Sequence, residues 1–213
     1  MSRIDLSSSN TFCISLDSAQ ERWSRMTARF ERFDLHVTRW KAHTPDNLTD
    51  RFADYMGGGA KACAQTHIDI WRHIVGQRLP YALILEDDAR FDVDWRAKLN
   101  TFTATDWRAI FLNASESIDP PHSWVRVTEQ YLTGGYLLSA TGAEILLDKF
   151  RDCFCASDWM TSRLQLSEPC YSYFPWLIVQ EHEDSTISTN FTKDREKMES
   201  LLEQAGYPLC NYV

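Results

Sequence analysis

Short apolar segments alternate along the chain with longer segments in which apolar residues recur at helical spacing. The short segments predict β-strands at residues 11–16, 36–40, 81–85, 109–112, 136–139 and 176–179. The longer segments predict helices at residues 60–75, 141–150 and 193–204. An earlier helix is indicated by one apolar face, formed by Trp23, Met26, Phe30 and Phe33.

Alternating strands and helices are typical of an α/β fold with a mainly parallel sheet. The run at residues 81–85 is continuously apolar, as expected of a strand that is covered on both sides. Ser18, with Glu21 three residues later, predicts a capping box at the start of the first helix, and Thr141 predicts a cap for a later one. Ligands of such folds bind at the carboxyl ends of the strands.

Composition narrows the classes of function. The chain has 213 residues and a net charge of −8, with 22 Lys and Arg against 30 Asp and Glu. This length fits a single domain over residues 1–213, which could itself be one domain of a longer chain. The acidic balance argues against a nucleic-acid partner and against a polybasic membrane anchor. It leaves open a phosphate-bearing ligand, because a metal ion can supply the positive charge.

The compartment is indicated by the N-terminus and the cysteines. Residues 1–9 lack the apolar region of a signal peptide. No apolar run reaches the roughly 18 residues that a membrane span needs. The six cysteines are therefore expected to be free thiols in a reducing compartment. We expect a cytoplasmic protein without a membrane span.

Three consecutive carboxylates, Glu86, Asp87 and Asp88, follow the apolar strand. Such a cluster at the end of a buried strand is costly unless a cation or strong hydrogen-bond donors lie nearby. Hard divalent ions prefer oxygen ligands of this kind and can bridge them to a diphosphate. An acidic turn after a strand, with no bound metal, is the structural alternative.

The motif and its surroundings resemble glycosyltransferase family 25, which includes bacterial lipooligosaccharide galactosyltransferases and procollagen galactosyltransferases. Residues 83–88, Leu-Ile-Leu-Glu-Asp-Asp, are similar to the acidic metal motif of that family. Further similar elements occur in the family's order between Phe12 and Ile187: residues 14–17 with Glu21 and Arg22, Cys63 with Thr66, His67 and Trp71, Asp106 with Trp107, residues 136–139, Gly142 with Ala143, Asp158, residues 175–180 and residues 185–187. The size and plan are also similar to the N-terminal domain of a chlorella-virus glycosyltransferase.

The resemblance implies a compact GT-A-type nucleotide-diphospho-sugar transferase fold, in which a mixed, mainly parallel sheet is flanked by helices. It implies a metal-dependent enzyme, with Mn²⁺ or Mg²⁺ as the cofactor. The reaction implied is transfer of a sugar from a UDP-sugar donor to a hydroxyl group of a glycan acceptor, with inversion. If the chain is viral, the compartment would be the host cytosol.

The resemblance also implies roles for individual residues. The implied metal ligands are Asp88, Glu86 and His182. The implied donor-binding residues are Ile14, Ser15, Leu16, Asp17, Arg22, Lys61, Glu86 and Asp87. Asp158 is the implied general base, which takes the proton of the acceptor hydroxyl.

Several of these residues have a structural alternative. Arg22 and Lys61 could be solvated side chains, and His182 could be a surface histidine in an acidic patch. Asp158 could be only the N-cap of a following helix. His67 shares a predicted helical face with apolar residues, so it could be a core histidine or a site residue.

Two other functions are compatible with the sequence. An inactive carbohydrate- or nucleotide-binding scaffold domain would keep the fold without the activity. Another metal-dependent transferase that uses nucleotides would share the carboxylates, although the chain has no Walker-type glycine motif.

Overall fold

Strands and helices alternate along the chain, as the hydrophobic pattern predicts. A computed structural model describes residues 4–181 and 191–213. The elements in these ranges are β1 (Thr11–Ser15), α1 (Gln20–Arg32), β2 (Thr38–Lys41), α2 (Gly58–Gly76), β3 (Tyr81–Glu86), β4 (Ala89–Phe91), α3 (Trp95–Leu99), β5 (Ala109–Phe111), β6 (Trp124–Arg126), β7 (Gly135–Ser139), α4 (Ala140–Phe150), α5 (Ser157–Gln165), β8 (Cys170–Tyr173), β9 (Ile178–Gln180) and α6 (Phe191–Gln204).

Seven strands form one mixed sheet in the order β2-β1-β3-β7-β5-β8-β6. β1 is parallel to β2 and β3, and β5 is parallel to β8. β7 is antiparallel to both β3 and β5, and β6 is antiparallel to β8. Five strands therefore run in one direction and two in the other, which confirms the predicted mixed, mainly parallel sheet and is consistent with a GT-A-like fold. The carboxyl ends of β1, β3 and β5 lie at the same edge.

Both faces of the sheet are covered. On β3, Leu83 packs with α1 residues such as Met26 and Phe30, whereas the next residue, Ile84, packs with α2 residues such as Trp71. Leu83, Ile84 and their neighbours on β3 are fully buried. This two-sided burial explains the continuous apolar run, because neither face of the strand meets water.

The two predicted caps are wrong in detail. α1 begins after Ala19 with no side-chain cap, so Ser18 and Glu21 form no capping box. α4 begins at Ala140, one residue before Thr141, because the Ser139 side chain accepts a hydrogen bond from the Gly142 backbone N–H. The strand end itself supplies the cap, and Thr141 lies exposed on the first turn.

A two-stranded antiparallel ribbon of β4 and β9 lies beside the main sheet. Its register pairs Ala89 with Gln180 and Phe91 with Ile178. The Glu181 backbone N–H also donates to the Asp88 carbonyl oxygen at 2.9 Å. The ribbon therefore brings residues 180 and 181 to the turn that carries the acidic motif.

All six cysteines are free, as predicted. Among the described residues, no helix has both the length and the apolar character needed to cross a membrane.

Candidate active site

The acidic motif lies at the carboxyl end of β3. Glu86 is the last residue of the strand, and Asp87 and Asp88 form the turn into β4. Both aspartates are buried, and Glu86 is half-buried. The Gly134 carbonyl oxygen accepts the Glu86 backbone N–H at 3.0 Å, so the motif is tied to the chain just before β7.

Glu86 is the acceptor at the end of a buried chain of hydrogen bonds. Trp71 Nε1 donates to the Tyr136 hydroxyl at 2.9 Å, and that hydroxyl lies 2.9 Å from His67 Nδ1. His67 Nε2 lies 3.3 Å from Glu86 Oε1. The indole nitrogen can only donate, so the Tyr136 hydroxyl oxygen accepts from it and the hydroxyl hydrogen is donated to His67 Nδ1. The ring hydrogen of His67 is then on Nε2 and faces Glu86. His67 is therefore a fully buried positioning residue for Glu86.

Arg22, in the first turn of α1, faces the two aspartates from the other side. Its Nη2 lies 2.5 Å from Asp87 Oδ1 and 3.8 Å from Asp88 Oδ2. Its side chain is 19% exposed, so Arg22 is not a freely solvated helix arginine. The guanidinium pairs closely with Asp87 and leaves Asp88 with a weaker counter-charge.

The three carboxylates differ in their affinity for a proton. Burial would raise the pKa of Glu86, but hydrogen bonds from His67 and Thr133 and the charge of Arg22 lower it overall. Burial, together with the charge of Glu86, raises the pKa of Asp88 to about 7. Burial also raises the pKa of Asp87, against the opposing charge of Arg22. An ionised Glu86 thus stands beside a carboxylate that lacks a full counter-charge.

A cavity of about 520 Å³ opens next to this motif. Six of the predicted donor-binding residues line it: Ile14, Ser15, Leu16, Arg22, Glu86 and Asp87. The other walls come from the start of α2 and from the segment after β2, and include His43, Thr44, Pro45, Gly59, Cys63 and Thr66. The structure therefore brings the end of β1, the start of α1 and the acidic motif around one space.

The N-terminus of α2 forms one wall of this cavity. Gly58 lies close to Pro45. A Cβ atom at Gly58 would be only 3.1 Å from Pro45 Cβ. Lys61 lies in the first turn of the helix, half-buried, between the lining residues Gly59 and Ala62. Backbone N–H groups at a helix start and a nearby ammonium both favour a bound anion.

Asp17 does not itself line the cavity, although its chain neighbours Leu16 and Ser18 do. Its carboxylate pairs with Lys41 Nζ at 2.6 Å, and both side chains are exposed. The pairing lowers the pKa of Asp17, chiefly through the hydrogen bond from Lys41.

Asp158 is the second residue of α5, and Ala156 is the N-cap, so the N-cap alternative for Asp158 is wrong. The preceding Ser157 hydroxyl lies 3.1 Å from Thr133 Oγ1, which donates to Glu86 Oε1 at 3.0 Å. Burial and the charge of Glu86 raise the pKa of Asp158.

His182, the third predicted metal ligand, lies outside the described residues.

Two groups of side chains could hold a cation. Ligand atoms of Cys63, His67 and Glu86 lie within 4.8 Å of one another. However, Cys63 offers a soft sulfur ligand, which suits Zn²⁺ better than Mg²⁺ or Mn²⁺. Glu86 and Asp88 offer hard oxygen ligands, and they suit Mg²⁺ or Mn²⁺ better.

Sequence reasoning missed Gln180 and Thr133, which both hydrogen-bond to Glu86. Gln180 directly follows the apolar run at residues 176–179, and Thr133 precedes the one at 136–139. A polar residue beside a predicted strand was the available signal, but only the sheet order tells which strand ends are neighbours.

Comparison with known proteins assigns the chain to a family. A family model described as "Glycosyltransferase family 25 (LPS biosynthesis protein)" matches residues 8–123, more than half of the chain. The chain belongs to glycosyltransferase family 25. The family 25 match contains every residue that lines the cavity, and the acidic motif, while Asp158 and Gln180 lie beyond it.

Curated relatives agree with this family 25 assignment. The chain is 31% identical to procollagen galactosyltransferase 1 of Danio rerio over 42% of its own length and 17% of the relative's. It is 25% identical to a glycosyltransferase 25 family member of Anopheles gambiae over 67% of its length and 29% of the relative's. The chain thus spans less than a third of these two relatives. It is 24% identical to the lacto-N-neotetraose biosynthesis glycosyltransferase LgtE of Neisseria meningitidis over 86% of its length and 81% of the relative's.

Proposed function

We propose that this chain is a metal-dependent glycosyltransferase that moves a sugar from a UDP-sugar to a hydroxyl group of a glycan acceptor, with inversion at the anomeric carbon. One observation carries the proposal. In a member of family 25, a cavity of about 520 Å³ is bounded by the end of β1, the N-terminus of α2 and the acidic motif. This is the strand edge at which α/β proteins bind nucleotides.

The residues at the acidic motif fit a divalent cation. Glu86 and Asp88 are hard oxygen ligands, and the raised pKa of Asp88, about 7, is the expected property of a carboxylate that lacks a counter-ion. Glu86 and Asp88 would hold the ion, with His182 as a further predicted ligand. When bound, Mn²⁺ or Mg²⁺ would neutralise the diphosphate and stabilise it as a leaving group.

We expect two parts of the cavity wall to bind different parts of the donor. Ile14, Ser15 and Leu16 provide the wall against which we place the nucleoside, with Asp17 at the outer edge. Arg22 and the N-terminus of α2, with Lys61, provide positive charge for the diphosphate. Because Asp87 already holds Arg22, the guanidinium is positioned before the donor arrives.

Asp158 is the proposed general base. Hydrogen bonds connect Ser157, at the start of α5, through Thr133 to Glu86, and this link supports a position for Asp158 near the reacting end of the donor. Its raised pKa makes it a stronger base than a solvated aspartate. The acceptor oxygen attacks the anomeric carbon, the bond from that carbon to the UDP oxygen breaks, and UDP leaves with the electron pair. The hydroxyl proton passes to Asp158.

The identity of the sugar is proposed from the relatives alone. Two of them are named for galactose transfer or for lacto-N-neotetraose biosynthesis, so UDP-galactose is the first donor to test. The free cysteines suit a reducing compartment such as the cytoplasm.

Calorimetry with UDP, with and without Mn²⁺, tests the donor site. We expect UDP to bind at least about tenfold more tightly with Mn²⁺, and we expect Asp88→Asn to remove that gain. Asp152→Asn, a substitution at an exposed position, is the matched control and should bind as the wild type does. The proposal would be contradicted if UDP bound equally well with and without Mn²⁺, or if Asp88→Asn kept the full gain from Mn²⁺.

Release of UDP from a panel of UDP-sugars tests the activity. With donor and acceptor present, Asp158→Asn should lower turnover by about 10²–10⁴-fold while leaving UDP affinity unchanged. Metal-dependent binding of UDP without release from any donor would favour the scaffold domain instead.

A further inference from the structure

Gln180 reaches into the space between two carboxylates of the acidic motif. Its Nε2 lies 3.5 Å from Glu86 Oε2, and 3.3 and 3.5 Å from the two oxygens of Asp88. One amide nitrogen is thus nearly equidistant from three carboxylate oxygens. An oxygen atom at this position would lie near the separation of about 3 Å that neighbouring ligand oxygens of one Mg²⁺ have, because Mg²⁺–oxygen distances are about 2.0–2.1 Å.

The backbone of Gln180 is held in place relative to these carboxylates. Gln180 is the last residue of β9 and pairs with Ala89, which directly follows Asp88. The next residue, Glu181, donates its backbone N–H to the Asp88 carbonyl oxygen and pairs through its side chain with Arg25 and Arg29 on α1. The backbone that carries the Gln180 side chain is therefore held beside the turn of the acidic motif, by its pairing with Ala89 and by the hydrogen bond of Glu181.

Gly134 provides the room that the Gln180 side chain occupies. A Cβ at Gly134 would lie 2.6 Å from Gln180 Cγ and Cδ and 3.0 Å from its Oε1. The side chain consequently packs flat on the Gly134 backbone, with Oε1 towards that backbone and Nε2 towards the carboxylates. No other residue type fits here without moving Gln180, because every other side chain begins with a Cβ.

We propose that Gln180 is a ligand of the divalent cation that Glu86 and Asp88 bind. In the cation-free chain the amide nitrogen donates to both carboxylates and reduces their repulsion. When the cation binds, rotation about the last side-chain torsion turns Oε1 towards the same position, and the nitrogen turns towards Gly134. This torsion has a broad, roughly two-fold preference in glutamine, and amide oxygens are accepted ligands of hard cations. The inference rests on the cation of the proposed function.

Mn²⁺ affinity, measured by electron paramagnetic resonance of the free ion in the absence of any sugar donor, tests this role. Gln180→Met keeps the length and removes both polar atoms, and we expect it to weaken Mn²⁺ binding about tenfold or more. Gln180→Glu restores an oxygen ligand and should bind at least as tightly as the wild type. If Gln180 were only a donor that competes with the cation, Gln180→Met would bind Mn²⁺ as tightly as the wild type or more tightly. That result would overturn the inference.

A second variant perturbs the same site without replacing any of the proposed cation ligands. Gly134→Ala should displace the Gln180 amide and weaken Mn²⁺ binding in the same direction. Gln204→Met, on the exposed face of α6, is the matched control and should change nothing. Thermal unfolding of each variant confirms that it is folded. A wild type that binds no Mn²⁺ overturns both this inference and the proposed cation, whereas Mn²⁺ binding with Gln180→Met and Gly134→Ala unchanged overturns the inference alone.

Discussion

At the scale of single residues, Glu86 and Asp88 lie in different environments although one residue separates them. His67, Thr133 and Arg22 favour the charged form of Glu86, whereas burial and that same Glu86 charge raise the pKa of Asp88 to about 7. The position of the three carboxylates at the end of a buried strand could be predicted from the sequence. The environments could not, because His67, Thr133 and Gln180 come from three distant parts of the chain.

The chain of hydrogen bonds behind Glu86 leads to a stability prediction for Tyr136. Tyr136→Phe removes the hydroxyl that pairs with Trp71 Nε1 and His67 Nδ1, and it leaves both groups buried without this partner. An unsatisfied buried polar group costs about 1–3 kcal/mol, so we expect the free energy of unfolding to fall by at least about that amount. Urea denaturation measures it.

Tyr171→Phe is the matched control for Tyr136→Phe. The Tyr171 hydroxyl makes one long contact, 3.4 Å, with Asp106 near the surface, and its loss should change stability by no more than about 0.5 kcal/mol. Equal effects of the two variants would mean that the Tyr136 hydroxyl contributes nothing beyond an ordinary surface contact.

At the scale of elements, the strands and helices with a clear apolar pattern could be predicted, including the three-residue β5, whereas β4, β6 and α3 could not. β3, α2 and α4 have apolar patterns long enough to reveal their periodicity. β4, β6 and α3 have three, three and five residues, and each contains a charged residue that interrupts the apolar run. β4 matters most for the site, because its pairing with β9 brings Gln180 to the acidic motif.

The start of α4 distinguishes the cap seen in the structure from the one that the sequence predicts. Ser139 Oγ accepts the Gly142 N–H at 3.0 Å and also donates to the Arg108 carbonyl oxygen at 3.1 Å. Ser139→Ala should therefore lower the free energy of unfolding by about 0.5–2 kcal/mol. Thr141→Ala, two residues along, should change it by less than about 0.5 kcal/mol, because Thr141 is exposed and is not the cap. Thermal denaturation of both variants checks the pair, and a larger loss for Thr141→Ala would place the helix start where the sequence predicts it.

At the scale of the whole molecule, the negative charge and the fold act together. A net charge of −8 repels phosphates in general, yet Arg22 and the start of α2 line the cavity beside the acidic motif. The layered α/β architecture could be predicted from the alternation of elements. The reversed direction of β7 could not, because an apolar strand has the same sequence pattern in either direction.

The covering of both sheet faces leads to a prediction about adjacent residues of β3. Leu83 and Ile84 point to opposite faces, and each is fully buried, one against the α1 side and one against the α2 side. Leu83→Ala and Ile84→Ala should each lower the free energy of unfolding by about 2–5 kcal/mol, because both remove packed methyl groups and leave a cavity. Val93→Ala, at a position that is 41% exposed, should cost no more than about 0.5 kcal/mol. If either core variant matched the Val93 control in urea denaturation, one face of the sheet would have to be open to water, and the three-layer arrangement that places the acidic motif would be wrong.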